Sequence, residues 1–195
     1  MELLIKLILS YLLGSVSGSI LMGKLKGVDI REMGSGNAGG TNAFRSMGAI
    51  FAVGVMFIDI LKGFIAVKFI PSMNLGILAE NIMDIELLYI LCSIGVVLGH
   101  VYPVYYRFKG GKGAATGLGI FLYFEPFLVI PSLLVWILSL AIFRFVGLST
   151  ILAFLTLPLF IFLFEGQSNI NFVFFSFIVG FFILFTHRQN INSML

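Results

Sequence analysis

The chain has 195 residues, 59% of them hydrophobic and only 11% charged, with a net charge of +3. Soluble domains carry about 25% charged residues, so this composition excludes a water-soluble protein, and a mean hydropathy of +1.10 agrees. So small a charge excess does not suggest a nucleic-acid partner, and the one cysteine, Cys92, is too little for an internal disulfide or a metal cluster.

A membrane-crossing helix takes roughly 20 apolar residues, and helices are imposed because backbone polar groups find no water in hydrocarbon. The N-terminal stretch has the outline of a signal peptide. However, Glu2 opens it, Lys6 is its one cation and many spans follow, so 3–23 reads as a retained first span. Further spans are expected at 48–69, 87–106, 127–143, 148–164 and 170–186. Residues 114–124 are apolar but short, and end at Glu125-Pro126. Either they form a short helix packed through Gly117 and Gly119, or 114–143 is one tilted helix kinked at Pro126 and Pro131.

Charge decides between these. If 114–124 crosses, then Lys24, Lys26, Arg31, Arg45, Arg107, Lys109, Lys112, Arg144 and Arg188 all fall on one side. Glu80, Asp84, Glu86, Glu125 and Glu165 fall on the other, with Lys6 and Lys68. The positive-inside rule then gives an all-α integral membrane protein of one domain, 1–195. It has seven transmembrane helices, the N-terminus outside and the C-terminus cytoplasmic. Chemistry is expected in the cytoplasmic loops.

The first such loop carries Gly34, Ser35, Gly36, Asn37, Gly39, Gly40, Thr41, Asn42 and Arg45. Glycines let successive N–H groups curl around an anion. Ser35 and Thr41 add hydroxyls, Asn37 and Asn42 add amides, and Arg45 brings a planar fork suited to phosphate. Thr41 reads as a helix N-cap, with Arg45 four residues on over the same face. A plain turn would need one or two glycines. The spacing of Gly34, Gly36 and Gly39 also fits a dinucleotide fingerprint, but that device belongs between a strand and a helix of an α/β domain.

The second loop follows His100 and carries Arg107, Lys109, Gly110, Gly111, Lys112 and Gly113. One reading is a topogenic loop touching anionic headgroups. The other is a second phosphate site, with glycines allowing close approach and Lys112 as a point charge. His100 either braces a helix end or takes part in catalysis. The third segment is His187-Arg188-Gln189-Asn190. Arg188 suits the end of a helix dipole, while His187 and Asn190 share a face at i and i+3 and point to the same cytoplasmic site. Asp59 and Lys62, also i and i+3, lie inside a span and read as a buried ion pair, because intramembrane charges are usually paired or functional. Ser149 and Thr150 open the sixth span. His100, Ser149, Asp59 and Lys62 are taken as supporting residues.

Together, GSGNAGGTNAFR, GHVYP with FKGGKGAAT, and HRQNI resemble the three signature segments of the bacterial acyl-phosphate:glycerol-3-phosphate acyltransferases, the PlsY family. The resemblance covers essentially the whole chain. It implies a seven-helix fold in the bacterial cytoplasmic (inner) membrane with the site on the cytoplasmic face. The implied reaction moves an acyl group from acyl-phosphate to glycerol 3-phosphate, giving lysophosphatidic acid, without a metal or other cofactor. The resemblance also implies functional coupling to the enzyme that makes acyl-phosphate, and substrate-site roles for Ser35, Asn37, Thr41, Arg45, Lys112, Thr150, His187 and Asn190. Two positions depart from the pattern: Gly40, often Ala in the family, and Gly147, often Ser.

Acyl-phosphate is already activated, so direct attack by the glycerol hydroxyl needs no covalent enzyme intermediate, and no Ser-His-Asp set is evident. Either His187 or a substrate phosphate accepts the proton. The rival readings are a transporter of a phosphorylated anion or lipid, which should show internal repeats, and a metal-dependent phosphotransferase. The second wants clustered carboxylates, whereas Asp29, Asp59 and Asp84 sit on separate segments.

Overall fold

The computed structural model describes residues 1–76, 84–165 and 170–192, apart from the side chain of Glu165; Glu80 lies outside the described residues. The chain forms two compact units, Met1–Tyr123 and Phe124–Leu195. The first contains α1 (Glu2–Gly14), α2 (Gly18–Leu25), a 3-10 turn at Ile30–Glu32, α3 (Gly40–Met47), α4 (Ala49–Phe69), α5 (Ile85–Val101), a second 3-10 turn at Val104–Tyr106, and nearly all of α6 (Ala114–Phe124). The second contains α7 (Pro126–Phe143), α8 (Val146–Glu165), α9 (Ile170–Thr186) and the short α10 (Arg188–Asn192).

Among the described residues, α4, α5 with its continuation to Tyr106, α7 and α8 are each long and apolar enough to cross a membrane, and the bent pair α1–α2 makes a fifth such element. Helices α6 and α9 are shorter and apolar. Helix α6 has 11 residues, about 17 Å at 1.5 Å per residue, against a hydrocarbon layer of about 30 Å. Of the two readings of 114–143, the broken one holds. Glu125 leaves helical geometry at φ −142° and ψ 70°, and Pro126 restarts the chain at the first position of α7, where its missing N–H is not needed.

The first expected span is not continuous. Helices α1 and α2 meet at 46°, with the break at Ser15-Val16-Ser17. A break inside a membrane frees backbone groups that need partners. The buried pair Asp59–Lys62 supplies them. Lys62 Nζ donates to Val16 O at 2.6 Å, and Asp59 Oδ1 accepts from Gly18 N at 3.1 Å. The two side chains pair with each other at 2.9 Å, and neither is exposed. The ion pair expected from spacing is present, and the broken helix is the reason for it.

Small residues let helices of the first unit meet backbone to backbone. Ser10 and Gly14 of α1 face Gly95 and Gly99 of α5. A Cβ on Gly14 would strike the Val96 carbonyl, and one on Gly99 the Tyr11 carbonyl. This is the small-xxx-small seam of membrane helix pairs. Helices α4 and α6 meet in the same way, Gly63 against Thr116 and Gly119 against Ile60. Lys6 joins α1 to the end of α4 by donating to Pro71 O at 2.8 Å while pairing with Glu2.

In the second unit, Gly180 of α9 lies close to the Phe154 carbonyl of α8, and Phe124, Phe172 and Phe175 form an aromatic cluster. Arg188 stacks on Phe185 at 4.3 Å and donates to its carbonyl, so it anchors the end of α9 as its position suggested.

Candidate active site

The first loop runs from the Ile30–Glu32 turn into α3. Gly34 and Gly36 have φ of +56° and +71°, a region that glycine enters without a Cβ clash. The loop is closed by Asn42, which is buried. Its Oδ1 accepts from Ser35 N at 2.9 Å, and its Nδ2 donates to Ile30 O at 3.0 Å and Met33 O at 2.9 Å. Both donor hydrogens of the amide are thereby engaged. Asn42 braces the loop and has no donor left for phosphate, which corrects the expectation from residue type. The N–H groups of Gly36 and Gly39 donate to Met33 O and Asn37 O, so these two amides are engaged within the turn.

What the loop offers instead is the start of α3. Its N-cap is Gly39, in extended conformation and with no capping side chain. The first N–H groups of a helix have no partner within it, and the dipole there favours an anion. Thr41 is therefore not the N-cap. It lies in the first turn, exposed, with exposed Arg45 one turn on. Ser35 is exposed beside them in sequence. Upstream, the Arg31 guanidinium chelates Asp29, with bonds of 2.6 to 3.2 Å, and holds its carboxyl down at about 2. Arg31 also donates to Tyr106 O at 3.2 Å, tying the first loop to the turn that precedes the second.

The second loop lies on the C-terminal end of α5. Gly111 N donates to His100 O at 3.1 Å. A Cβ on Gly110 would meet the His100 carbonyl and Pro103, and one on Gly111 would meet His100 Nε2 and, at 2.8 Å, Ala38 O. Packing alone leaves no room for a side chain at either glycine. Gly113, at φ +89°, turns the chain into α6, its carbonyl accepting from Gly117 N at 2.7 Å. Lys112 between them is half-buried, and burial pushes its ammonium below the ordinary lysine value. The contact of Ala38 with Gly111 brings the two loops together. The first unit thus places α3, with Arg45 in its last turn, and the Lys112 segment that leads into α6 next to loops that touch.

In the second unit, His187 is buried where α9 passes into α10. Its Nδ1 lies 2.8 Å from Ile183 O. A carbonyl only accepts, so Nδ1 donates this bond. Asn190 N donates to His187 O at 2.8 Å, which keeps the two residues on one turn.

The chain matches the family model for glycerol-3-phosphate acyltransferase over residues 4–195. It is 41% identical to the glycerol-3-phosphate acyltransferase of Aquifex aeolicus (strain VF5), covering 100% of this chain and 96% of that protein. It is 40% identical to that of Prochlorococcus marinus (strain MIT 9312), covering 95% and 90%. The crystal structure of PlsY, an integral membrane glycerol 3-phosphate acyltransferase, superposes in its glycerol 3-phosphate form with a TM-score of 0.84 at 36% identity, covering 100% of this chain and 92% of that one. Its lysophosphatidic acid form gives a TM-score of 0.80.

The chain belongs to the glycerol-3-phosphate acyltransferase family.

The two glycines singled out in the sequence, Gly40 and Gly147, each have a local partner. A Cβ at Gly40 would lie 2.8 Å from Met56 Cγ, so Met56 fills the space that an alanine would use. A Cβ at Gly147 would lie 2.7 to 3.0 Å from three atoms of the Asn190 side chain. In this member of the family, Asn190 rests on the bare backbone of α8. The hydroxyls nearby are engaged. Ser149 donates to Phe145 O at 2.9 Å, and Thr150 donates to Val146 O at 2.8 Å while accepting from Trp136 Nε1 at 3.1 Å. A hydroxyl has one proton to give, so Thr150 as placed here steadies Trp136 and offers no donor to a phosphate. Trp136, Ala38 and Arg31 carried no functional signal in the sequence, because each acts through a residue distant along the chain or through its backbone.

Proposed function

We propose that this chain transfers an acyl group from acyl-phosphate to glycerol 3-phosphate, on the cytoplasmic face of a bacterial inner membrane, by direct attack. The observation that carries the proposal is the contact between the two loops, Ala38 on Gly111. It brings the neighbourhoods of Arg45 and Lys112 into one unit. The two substrates bring two phosphates, and two separate cations, Arg45 on α3 and Lys112 before α6, answer that requirement. Solved forms of PlsY with glycerol 3-phosphate and lysophosphatidic acid support the same acceptor and product.

In the reaction, the glycerol hydroxyl oxygen forms a bond to the acyl carbonyl carbon, the bond from that carbon to the phosphate oxygen breaks, and inorganic phosphate leaves. The hydroxyl proton passes to a substrate phosphate, with His187 orienting phosphate. In the first unit Ser35, Thr41 and Arg45 bind one phosphate and Lys112 the other; in the second, His187 and Asn190 are held together on one turn. The reading of seven crossings with the N-terminus outside counts the short α6 and α9 together with α1–α2, α4, α5, α7 and α8.

The test is turnover by purified protein in micelles. Labelled glycerol 3-phosphate is supplied with palmitoyl-phosphate or with palmitoyl-CoA, each with and without EDTA. Labelled lysophosphatidic acid from the acyl-phosphate alone, insensitive to EDTA, is the expected result. Product from the thioester would remove the proposed donor. No product beside an active control enzyme would remove the reaction and turn attention to transport in liposomes.

A further inference from the structure

The Lys62 ammonium has three N–H donors and three acceptors around it: Val16 O at 2.6 Å, His100 Nδ1 at 2.8 Å and Asp59 Oδ1 at 2.9 Å. Asp59 Oδ1 also lies 3.5 Å from His100 Nδ1. All three side chains are buried. A lysine ammonium only donates, so His100 Nδ1 accepts and the opposite edge of the ring, with Nε2, faces away from the pair. That edge is the surface on which Gly111 rests, and the His100 carbonyl takes the Gly111 N–H. Ala38 of the first loop closes on the same point.

We infer that His100 is a positioning residue for the Lys112 loop, held by the Asp59–Lys62 pair and acting through Gly111. The inference rests on the proposed role of Lys112 in binding a substrate phosphate. The Asp59–Lys62 pair fixes the plane of the imidazole, and the imidazole fixes the height of Gly111. Lys112 is the next residue, so its ammonium is set by a group that touches no substrate. Since Ala38 meets Gly111 at the same ring edge, the spacing between the two loops is set there as well.

The experiment compares His100→Asn, Gly111→Ala, Lys112→Ala and the double variant His100→Asn/Lys112→Ala. It reads kcat and KM for both substrates alongside thermal unfolding of the purified enzyme. His100→Asn retains an acceptor for Lys62 but removes the ring edge beneath Gly111. It should raise the KM for the same substrate that Lys112→Ala affects, by about tenfold, since a misplacement near 1 Å has effects of that order or larger. Its melting temperature should stay near that of the parent. In the Lys112→Ala background it should add almost nothing, because residues that act through one another are not additive. A purely structural His100 would lower the melting temperature and leave KM alone. A folded His100→Asn enzyme with unchanged KM, or effects that multiply in the double variant, overturns the inference. If His100→Asn fails to fold, Gly111→Ala decides, because it keeps the three buried side chains and forces the loop off the ring: a raised KM sustains the inference and an unchanged one overturns it. Lys112→Ala with both KM values unchanged would instead remove the proposed phosphate site, and the inference with it.

Discussion

Asn42 separates two roles that a sequence cannot tell apart. Its amide makes three bonds of 2.9 to 3.0 Å to the backbone of residues 30–35, and Ile30, one of its acceptors, is fully buried. Replacing Asn42 with Ala removes all three. At about 1 kcal/mol net for each, with a further penalty for a buried group left without a partner, the loss is about 3 kcal/mol, discounted where water reaches the Ser35 amide. For a chain of this size that corresponds to a fall of about 6–12 °C in melting temperature. Asn42→Asp should be worse than Asn42→Ala. A carboxylate cannot donate, and it would face the carbonyl oxygens of Ile30 and Met33 at close range. The assay is thermal unfolding of the ligand-free enzyme in micelles, followed by KM for each substrate. A residue that only touched phosphate would leave the ligand-free enzyme as stable as the parent and change KM alone. That result, or Asn42→Asp outperforming Asn42→Ala, would refute the bracing role.

Four further outcomes are expected. Arg45→Gln should raise the KM for one phosphate substrate about 10- to 100-fold, the equivalent of a charged hydrogen bond of about 1.5–3 kcal/mol, with unfolding unchanged. Burial lowers the Lys112 pKa, so its charge is lost as pH rises through that lowered value. The alkaline fall in kcat/KM should then begin below the ordinary lysine range, and Lys112→Arg should move it upward because arginine stays charged. Lys62→Met should destabilise by about 3–5 kcal/mol, as for other broken buried pairs. The double change Asp59→Leu/Lys62→Met should remain about 2 kcal/mol or more below the parent in denaturant unfolding, because Val16 O and Gly18 N stay without partners; parental stability would refute the link to the break in the first span. Gly147→Ser should lower kcat by displacing the Asn190 side chain, and a kcat equal to or above the parent's would show that Asn190 tolerates the shift.

The parts of the fold that are legible in the sequence depend on local pattern. Asp59 and Lys62 stand out because two opposite charges at helical spacing inside an apolar run are costly there unless they meet. The α1–α5 seam cannot be read in advance, although Gly95 and Gly99 are in plain view, because which helix lies opposite is a tertiary fact. Thr41 fits an N-cap by residue type, but Gly39, at φ −141° and ψ 168°, starts α3 earlier. Asn42, Gly110 and Gly111 are conspicuous by residue type, and each has protein neighbours that also call for that residue type. An amide or a bare Cα suits a phosphate and a crowded backbone equally well, and only the direction of each group distinguishes them. The first span reads as continuous because Ser15 and Ser17 are tolerated inside helices and nothing nearby forces a break.

The bonds that complete the first span come from far along the chain. Val16 receives its donor from a residue 46 positions later, and Gly18 its acceptor from one 41 positions later. A chain entering the bilayer from its N-terminus therefore delivers α1 and α2 before the residues that satisfy them have been synthesised. Until α4 arrives, those groups must keep contact with water or with the insertion machinery. The order of membrane assembly is thus built into one ion pair, and the first span is a late-maturing element despite being the first to be made.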